Sequence, residues 1–124
     1  MDGIGDRGDL LLRLMSASTL RARVLSDNIA NQNVPGYKRR IVRFEDLLAA
    51  QLQHKSGSRA SDAMKAVQPR IETELATPSS PDGNNVNLEL ESNAMRENSL
   101  LYEMYAQILQ TRLSLVQASL SEGR

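Results

Sequence analysis

Apolar side chains recur at helical spacing at both ends of this chain, and the middle carries no sustained period. From about Leu10 to Asn31, the residues Leu11, Leu14, Met15, Ser18, Ala22, Leu25 and Ile29 follow one another at intervals of three and four, which predicts an amphipathic helix. Arg13, Arg21, Arg23 and Asp27 lie mostly off that stripe. At 1.5 Å per residue the helix would be roughly 30 Å long. Such a pattern fits a core-facing surface helix, and equally one arm of a helical pair that also touches neighbouring subunits. Periodicity does not separate the two.

The second stripe runs from about Asn87 to Leu120. Met95, Asn98, Leu101, Tyr102, Tyr105, Ile108, Leu109, Leu113, Val116 and Leu120 line one side, with no Gly or Pro among them. Asn87 is a suitable N-cap, and Glu89 and Glu91 fall near the positive end of the helix dipole. Val86, Leu88 and Leu90 alternate with polar residues, so an extended start is the alternative for this segment. A helix of this length cannot bury its stripe within one small globule. It requires the N-terminal helix, and other subunits as well.

Between the helices, Asn31, Asn33, Pro35 and Gly36 crowd breakers into six residues. Asn tolerates the left-handed conformation that ends helices. Pro35 lacks an N–H and biases Val34 toward extended geometry, and Pro-Gly suits the centre of a type II turn. Beyond it, Phe44 to Gln53 reads as a short helix carrying Leu47, Leu48 and Leu52. Lys55 to Asp62 reads as a flexible loop. Val67, Ile71 and Thr73 suggest a strand demoted to an edge by Pro69. Residues 77–83 form a further loop ending in an Asp82-Gly83 turn. The expected division is therefore 1–36, an N-terminal axial helix with its turn; 37–85, an irregular and partly mobile middle; and 86–124, a C-terminal helix. The fold class is mainly α, with the terminal helices pairing as an antiparallel coiled-coil-like hairpin and short β segments in the middle.

Composition supports paired helices. Of 124 residues, 40% are hydrophobic but only 3% aromatic, with one Phe and no Trp. The large rings that dominate many cores are thus replaced by Leu, Ile, Val, Met and Ala. The formal net charge is zero, which argues against nucleic acid or an anionic membrane as main partner. No stretch is apolar for long enough to span a bilayer. Cysteine is absent, which excludes disulfides, thiolate metal sites and a Cys nucleophile. The segment Met1 to Asp9 has neither a basic n-region nor a following h-region, so an exported protein of this sequence would use a route that reads no cleaved signal peptide.

Catalytic chemistry is hard to find. The single histidine, His54, lies beside Lys55 in a polar loop. Asp82-Gly83-Asn84-Asn85 lacks the alternating ligands and closing Glu of a calcium loop. No phosphate-binding loop or nucleophile elbow occurs. Glu89 and Glu91 would diverge on a helix and are better read as charges at its N-terminus. Lys38, Arg39, Arg40 and Arg43 form a basic cluster better read as a solvated turn or a protein contact. These features imply no enzyme, no cofactor and no metal site.

One stretch is specific. Asn28-Ile29-Ala30-Asn31, a short spacer, and Pro35-Gly36-Tyr37 resemble the signature of the flagellar rod, hook and hook-associated axial proteins of bacteria. The chain departs from that signature at Val34, where Thr is usual, and at Asp27, where Ser is usual. The Asp82-Gly83-Asn84-Asn85-Val86-Asn87-Leu88 run, the Asn98-to-Leu109 segment with its two Tyr, and Arg43-Phe44-Glu45-Asp46-Leu47 resemble the proximal-rod branch of that family. The resemblance covers both ends well and the middle poorly. It implies a structural subunit that passes unfolded through the flagellar type III export apparatus without signal-peptide cleavage and assembles helically in the periplasmic rod, transmitting torque and continuing the export channel. It implies other copies of the chain, the adaptor FliE, FlgC and FlgF as neighbours. On this reading Leu11, Leu14, Leu25, Ile29, Leu101, Tyr102, Tyr105, Ile108, Leu109, Leu113 and Val116 serve helix pairing and assembly. The alternatives are another axial rod subunit resembling FlgC, and a cytoplasmic helical-hairpin regulator or export chaperone. A small hydrolase would need a site that the sequence does not offer.

Overall fold

The computed structural model describes residues 3–123, with side chains from residue 7 onward. Helix α1 spans Gly3–Ala30, followed by strand β1, Arg40–Arg43. Helices α2, Glu45–Gln53, and α3, Ser58–Ala66, come next, then strand β2, Arg70–Thr73, and the long helix α4, Leu88–Glu122. The two long helices pack against each other as an antiparallel hairpin. Asn98 of α4 reaches Ser18 of α1, and Glu91 reaches Asn28 further toward the turn.

The hairpin follows from the two stripes, with differences at the ends. Helix α1 begins seven residues before the Leu10 start that the apolar period predicts. No apolar stripe marks those seven residues, so periodicity alone could not place the start. Helix α4 starts as its cap dictates: the Asn87 side chain accepts from the N–H groups of Glu89 and Leu90 at 3.0 and 3.2 Å. Asn87 itself is extended, so the alternation at Val86 and Leu88 stops at the cap.

The middle carries the expected short helix and β segments and one helix more. β1 and β2 form a two-stranded antiparallel sheet in which Arg40 faces Thr73 and Arg43 faces Arg70. Pro69 stands just before β2, outside the ladder. Residues 58–66, which include most of the expected Lys55–Asp62 loop, are helix α3. Gly57 enters it at φ +66°. Ala63 is buried, and Met64 packs against a small core of Ala17, Phe44 and Leu48. Arg13 of α1 donates to the carbonyls of Lys65, at 2.7 Å, and Val67. Its guanidinium also lies over the Phe44 ring, 5.9 Å from the centroid. A cation on the last carbonyls of α3 supplies the C-terminal partner that a short helix lacks. Those contacts span 52 and 54 residues, so no local pattern announces them.

Candidate functional site

The breaker segment and the Asp82–Asn87 segment fold into one unit. Tyr37 N donates to Val34 O at 3.2 Å, and Gly36 sits at φ +77° between them, the geometry of a type II turn. Gly36 N donates to Asp82 O at 2.9 Å. The buried Asn84 side chain donates to the carbonyls of Asn31 and Val34 at 2.9 and 2.8 Å, a second bond for each, since they already accept from Val34 N and Tyr37 N. Lys38 Nζ reaches Ser79 Oγ at 2.8 Å and the Gly83 carbonyl. The side chain of Asn85 bridges Arg39 N, at 2.6 Å, and Glu74 O, at 2.7 Å.

Asn28 is the centre of this unit and is fully buried. Its amide donates to Arg40 O at 2.8 Å and to Glu91 Oε2 at 3.2 Å. Its carbonyl oxygen accepts from Arg40 N at 2.9 Å and from Tyr37 OH at 3.1 Å. All four hydrogen-bonding positions of the amide are therefore used. Glu91 is also fully buried, and its other oxygen accepts from Arg39 Nε at 2.5 Å. Arg39 in turn reaches Glu74 at 3.2 Å. Burial works against the Arg39 charge, but its bonds to Glu91 and then Glu74 outweigh that and raise its pKa. The Glu74 carboxyl is pulled down to about 2, first by the Thr77 hydroxyl, then by the Ala76 N–H and Arg39.

Glu91 stands in the first turn of α4, as expected, but it is the buried end of an Arg39–Glu91–Asn28 relay. The basic cluster, expected as a solvated turn or a protein contact, is engaged within the chain. Arg39 and Arg40 pair within the chain, Arg40 with Asp27 at 3.2 Å, and Arg43 pairs with Asp46 at 2.5 Å. Of the motif residues, Asn28 is buried; Ile29, Asn31 and Tyr37 are half-buried; Ala30, Pro35 and Gly36 are exposed. The motif thus places a buried polar clamp and an exposed turn side by side.

Along the hairpin the stripe divides in two. Leu11 and Leu25 are buried, and Leu14 and Ile29 half-buried. In α4 the buried residues are Glu91, Asn98 and Tyr105, one heptad apart. Asn98 Nδ2 donates to Ser18 O at 2.8 Å. Nearby Arg21 holds Glu45 through both carboxylate oxygens, at 2.6 and 3.1 Å, and Val42 O at 3.2 Å. Burial, and then the Glu45 charge, push the Tyr105 hydroxyl pKa up. Leu101 and Leu109 are half-buried, whereas Tyr102, Ile108, Leu113 and Val116 are exposed. Leu100, Met104, Leu115 and Leu120 are exposed as well. The seam of α4 against its own partner helix is largely polar, and most of its large aliphatic side chains face outward.

Sequence reasoning did not assign Arg39, Glu74, Asn84, Asn85 or Asn98 to a polar network. The heptad spacing of Glu91, Asn98 and Tyr105 was the available signal. Among the described residues no cluster of acidic or His side chains is arranged to hold a metal, and no helix is long and apolar enough to cross a membrane.

The family model for the flagella basal body rod protein matches residues 15–38, the second half of α1 together with the turn. The flagellar basal body rod protein FlgB of Aeromonas hydrophila is 32% identical over 109 residues, covering 81% of each chain. FlgB of Escherichia coli K12 is 29% identical over 135 aligned positions, covering 95% of this chain and 98% of its own. FlgB of Borrelia hermsii is 28% identical, covering 81% and 84%. With the clamp residues of both terminal segments meeting around Asn28, and with relatives aligned across nearly the whole chain, the protein belongs to the FlgB family of flagellar basal body rod proteins.

Proposed function

We propose that this chain is a structural subunit of the proximal rod of the bacterial flagellum, assembling helically through α1 and α4. Family membership supports the rod-subunit role in the basal body. The observation that carries the assembly reading is the outward apolar surface of α4, where Leu113, Leu115 and Leu120 are 57%, 65% and 68% exposed. Large apolar side chains left in water around the far half of α4 are suited to covering by other subunits, while the Asn28 clamp fixes where the chain leaves the helical pair.

On this reading the neighbours are further copies, the adaptor FliE below, and FlgC and FlgF above. The subunit reaches the periplasmic rod through the flagellar type III export apparatus without a cleaved signal peptide. The assembled helices transmit torque and continue the export channel. The motif residues Asn28, Ile29, Ala30, Asn31, Pro35, Gly36 and Tyr37 set the exit direction, and the exposed part of the stripe, Tyr102, Ile108, Leu113 and Val116, meets neighbours.

The test is Leu113→Glu. Because Leu113 is exposed in the subunit, the purified variant should keep its circular dichroism and solubility. Cells carrying it should lack stable rods, hooks and filaments by electron microscopy of basal bodies. Normal basal bodies would refute the assembly role of this face. A variant that unfolds and is degraded would place Leu113 in an intramolecular core instead.

A further inference from the structure

The two sides of the helical pair differ. About the axis of α1, Arg21 falls about 60° to one side of Ser18, and Ala22 and Thr19 fall about 40° and 100° to the other. On the Arg21 side stand β1 and α2, joined to it through Val42 O and Glu45. On the other side a groove of about 450 Å³ opens between α1 and α4, walled by Thr19, Ala22, Ser99 and Tyr102. The most buried residue lining it is Ser18, 1% exposed. The Ser18 hydroxyl is the one buried side-chain polar atom among the described residues without a hydrogen-bond partner. An unanswered hydroxyl away from water is unfavourable and calls for an explanation. Its neighbours do not answer it. The Thr19 hydroxyl donates to Met15 O at 3.1 Å, and the Asn98 amide donates to the Ser18 carbonyl at 2.8 Å.

The far end of α4 offers a matching surface. Every residue from Leu113 to Gly123 is exposed. Leu113, Val116, Gln117 and Leu120 follow at i, i+3, i+4 and i+7 and share one face of the helix. That face is three aliphatic side chains around one amide. We propose that this face of a second copy seats in the groove, with the Gln117 amide answering the Ser18 hydroxyl. The small side chains of Ala22 and Ser99 let a third helix approach closely, and Tyr102 supplies an apolar wall for the aliphatic residues. Each surface carries one polar group at its centre, so the contact buries apolar area without stranding either group. The inference rests on the assembly reading of α4 given above and adds where on the neighbour that face is received. Leu113 lies about 15 Å along α4 from Glu103, the last residue lining the groove. The two surfaces therefore do not overlap, and one copy can receive a tail and offer its own at the same time. A contact between two different surfaces is heterologous, and it repeats from copy to copy rather than ending at a pair.

The chain contains no Cys, so single thiols can mark each surface. Ser99→Cys marks the groove and Ser114→Cys the edge of the tail face, both at exposed positions. The two variants are purified separately, mixed at high concentration and treated with a short bismaleimide, which can then link only different copies. Mixed dimers should exceed either homodimer severalfold. They should also exceed the product of Ser114→Cys with Arg59→Cys, an exposed position on α3. Thr19→Trp, which fills the groove from an exposed position, should keep its helicity and cut the mixed-dimer yield severalfold. Ser18→Ala in the groove partner and Gln117→Met in the tail partner should each lower the yield, and together by no more than the larger single loss. Mixed dimers no more frequent than homodimers would overturn the inference, and so would a yield that a folded Thr19→Trp leaves unchanged. Fully additive losses at positions 18 and 117 would overturn the pairing of those two groups. If Leu113→Glu abolishes rods in cells but no mixed dimer forms, the rod role of the tail stands and its seat in the groove falls. If mixed dimers form and Thr19→Trp cells still build rods, the seat stands and its part in the rod falls.

Discussion

Asn28 and Glu91 stand 63 residues apart in sequence and share a hydrogen bond of 3.2 Å, with neither side chain reached by solvent. Each is also tied to the segment just after the turn, Asn28 to the Arg40 backbone and Glu91 to the Arg39 side chain. Three pieces of chain thus converge on one buried carboxylate. A carboxylate in that position is tolerable only while its partners remain.

Removing the carboxylate should leave Arg39 with Glu74 as its one remaining partner, at 3.2 Å. Glu91→Leu is expected to lower the unfolding free energy by about 3 kcal/mol in urea denaturation, the low end of the cost of breaking a buried pair from one side. Adding Arg39→Met should recover part of the loss, since the half-paired guanidinium goes with it. A double variant no more stable than Glu91→Leu would contradict the relay.

Acid should loosen the turn that the Glu74 carboxylate makes with Ala76 and Thr77, and its pair with Arg39. The Glu74 carboxyl is held down to about 2 against an ordinary 4.5. A depressed carboxylate contributes stability that is complete above its unfolded pKa and is lost as pH falls through the folded one. Glu74 should thus support the fold fully above about 4.5 and progressively less down to about 2. Melting temperatures of wild type and Glu74→Gln should differ most at neutral pH and converge across that window. A gap that stays constant or widens in acid would be incompatible with this assignment.

The two turn glycines should prove equivalent to replace. Gly36 and Gly83 lie at φ +77° and +86°, where a side chain costs about 1 kcal/mol or more. A Cβ on Gly36 meets nothing within 4 Å, and one on Gly83 would lie 3.4 Å from Gly36 Cα, an ordinary van der Waals distance. Gly83→Ala and Gly36→Ala should therefore lower the melting temperature by similar amounts, set by the positive φ alone, and calorimetry on the two variants decides it. A clearly larger loss for Gly83→Ala would mean that the close approach of the two turns adds a cost of its own.

The helices and the turn were legible because their signals are local. Leu11, Leu25 and Tyr105 recur at helical spacing, Asn87 caps the next helix, and Pro35-Gly36 specifies its turn. Ile71 and Thr73 marked β2 for the same reason. Strand β1 was hidden because Arg40 and Arg43 read as surface charge, and their pairing with Thr73 and Arg70 spans a loop of thirty residues or so. Helix α3 was hidden because Ser, Gly and charge suggest a loop until Arg13 and Phe44 supply tertiary partners. The polar clamp was half visible. Asn28 stood out within its motif, but nothing beside Glu91 indicates that the group answering its charge is Arg39, a residue brought there only by the closing of the hairpin.

Gly36 N meets Asp82 O at 2.9 Å, and Asn85 N meets Tyr37 O at 3.3 Å. The chain therefore departs from the helical pair and returns to it at the same place. The stretch between those two points is an excursion whose base is already closed by backbone hydrogen bonds. Lengthening it adds little further closure entropy, and exposed segments of this kind are where inserted sequence is best tolerated. The arrangement works as a socket. Sequence inserted in the exposed loop at residues 54–57 would leave Arg39, Arg40 and Phe44 in place against the helical pair, so the outer surface can diversify independently of the helices beneath.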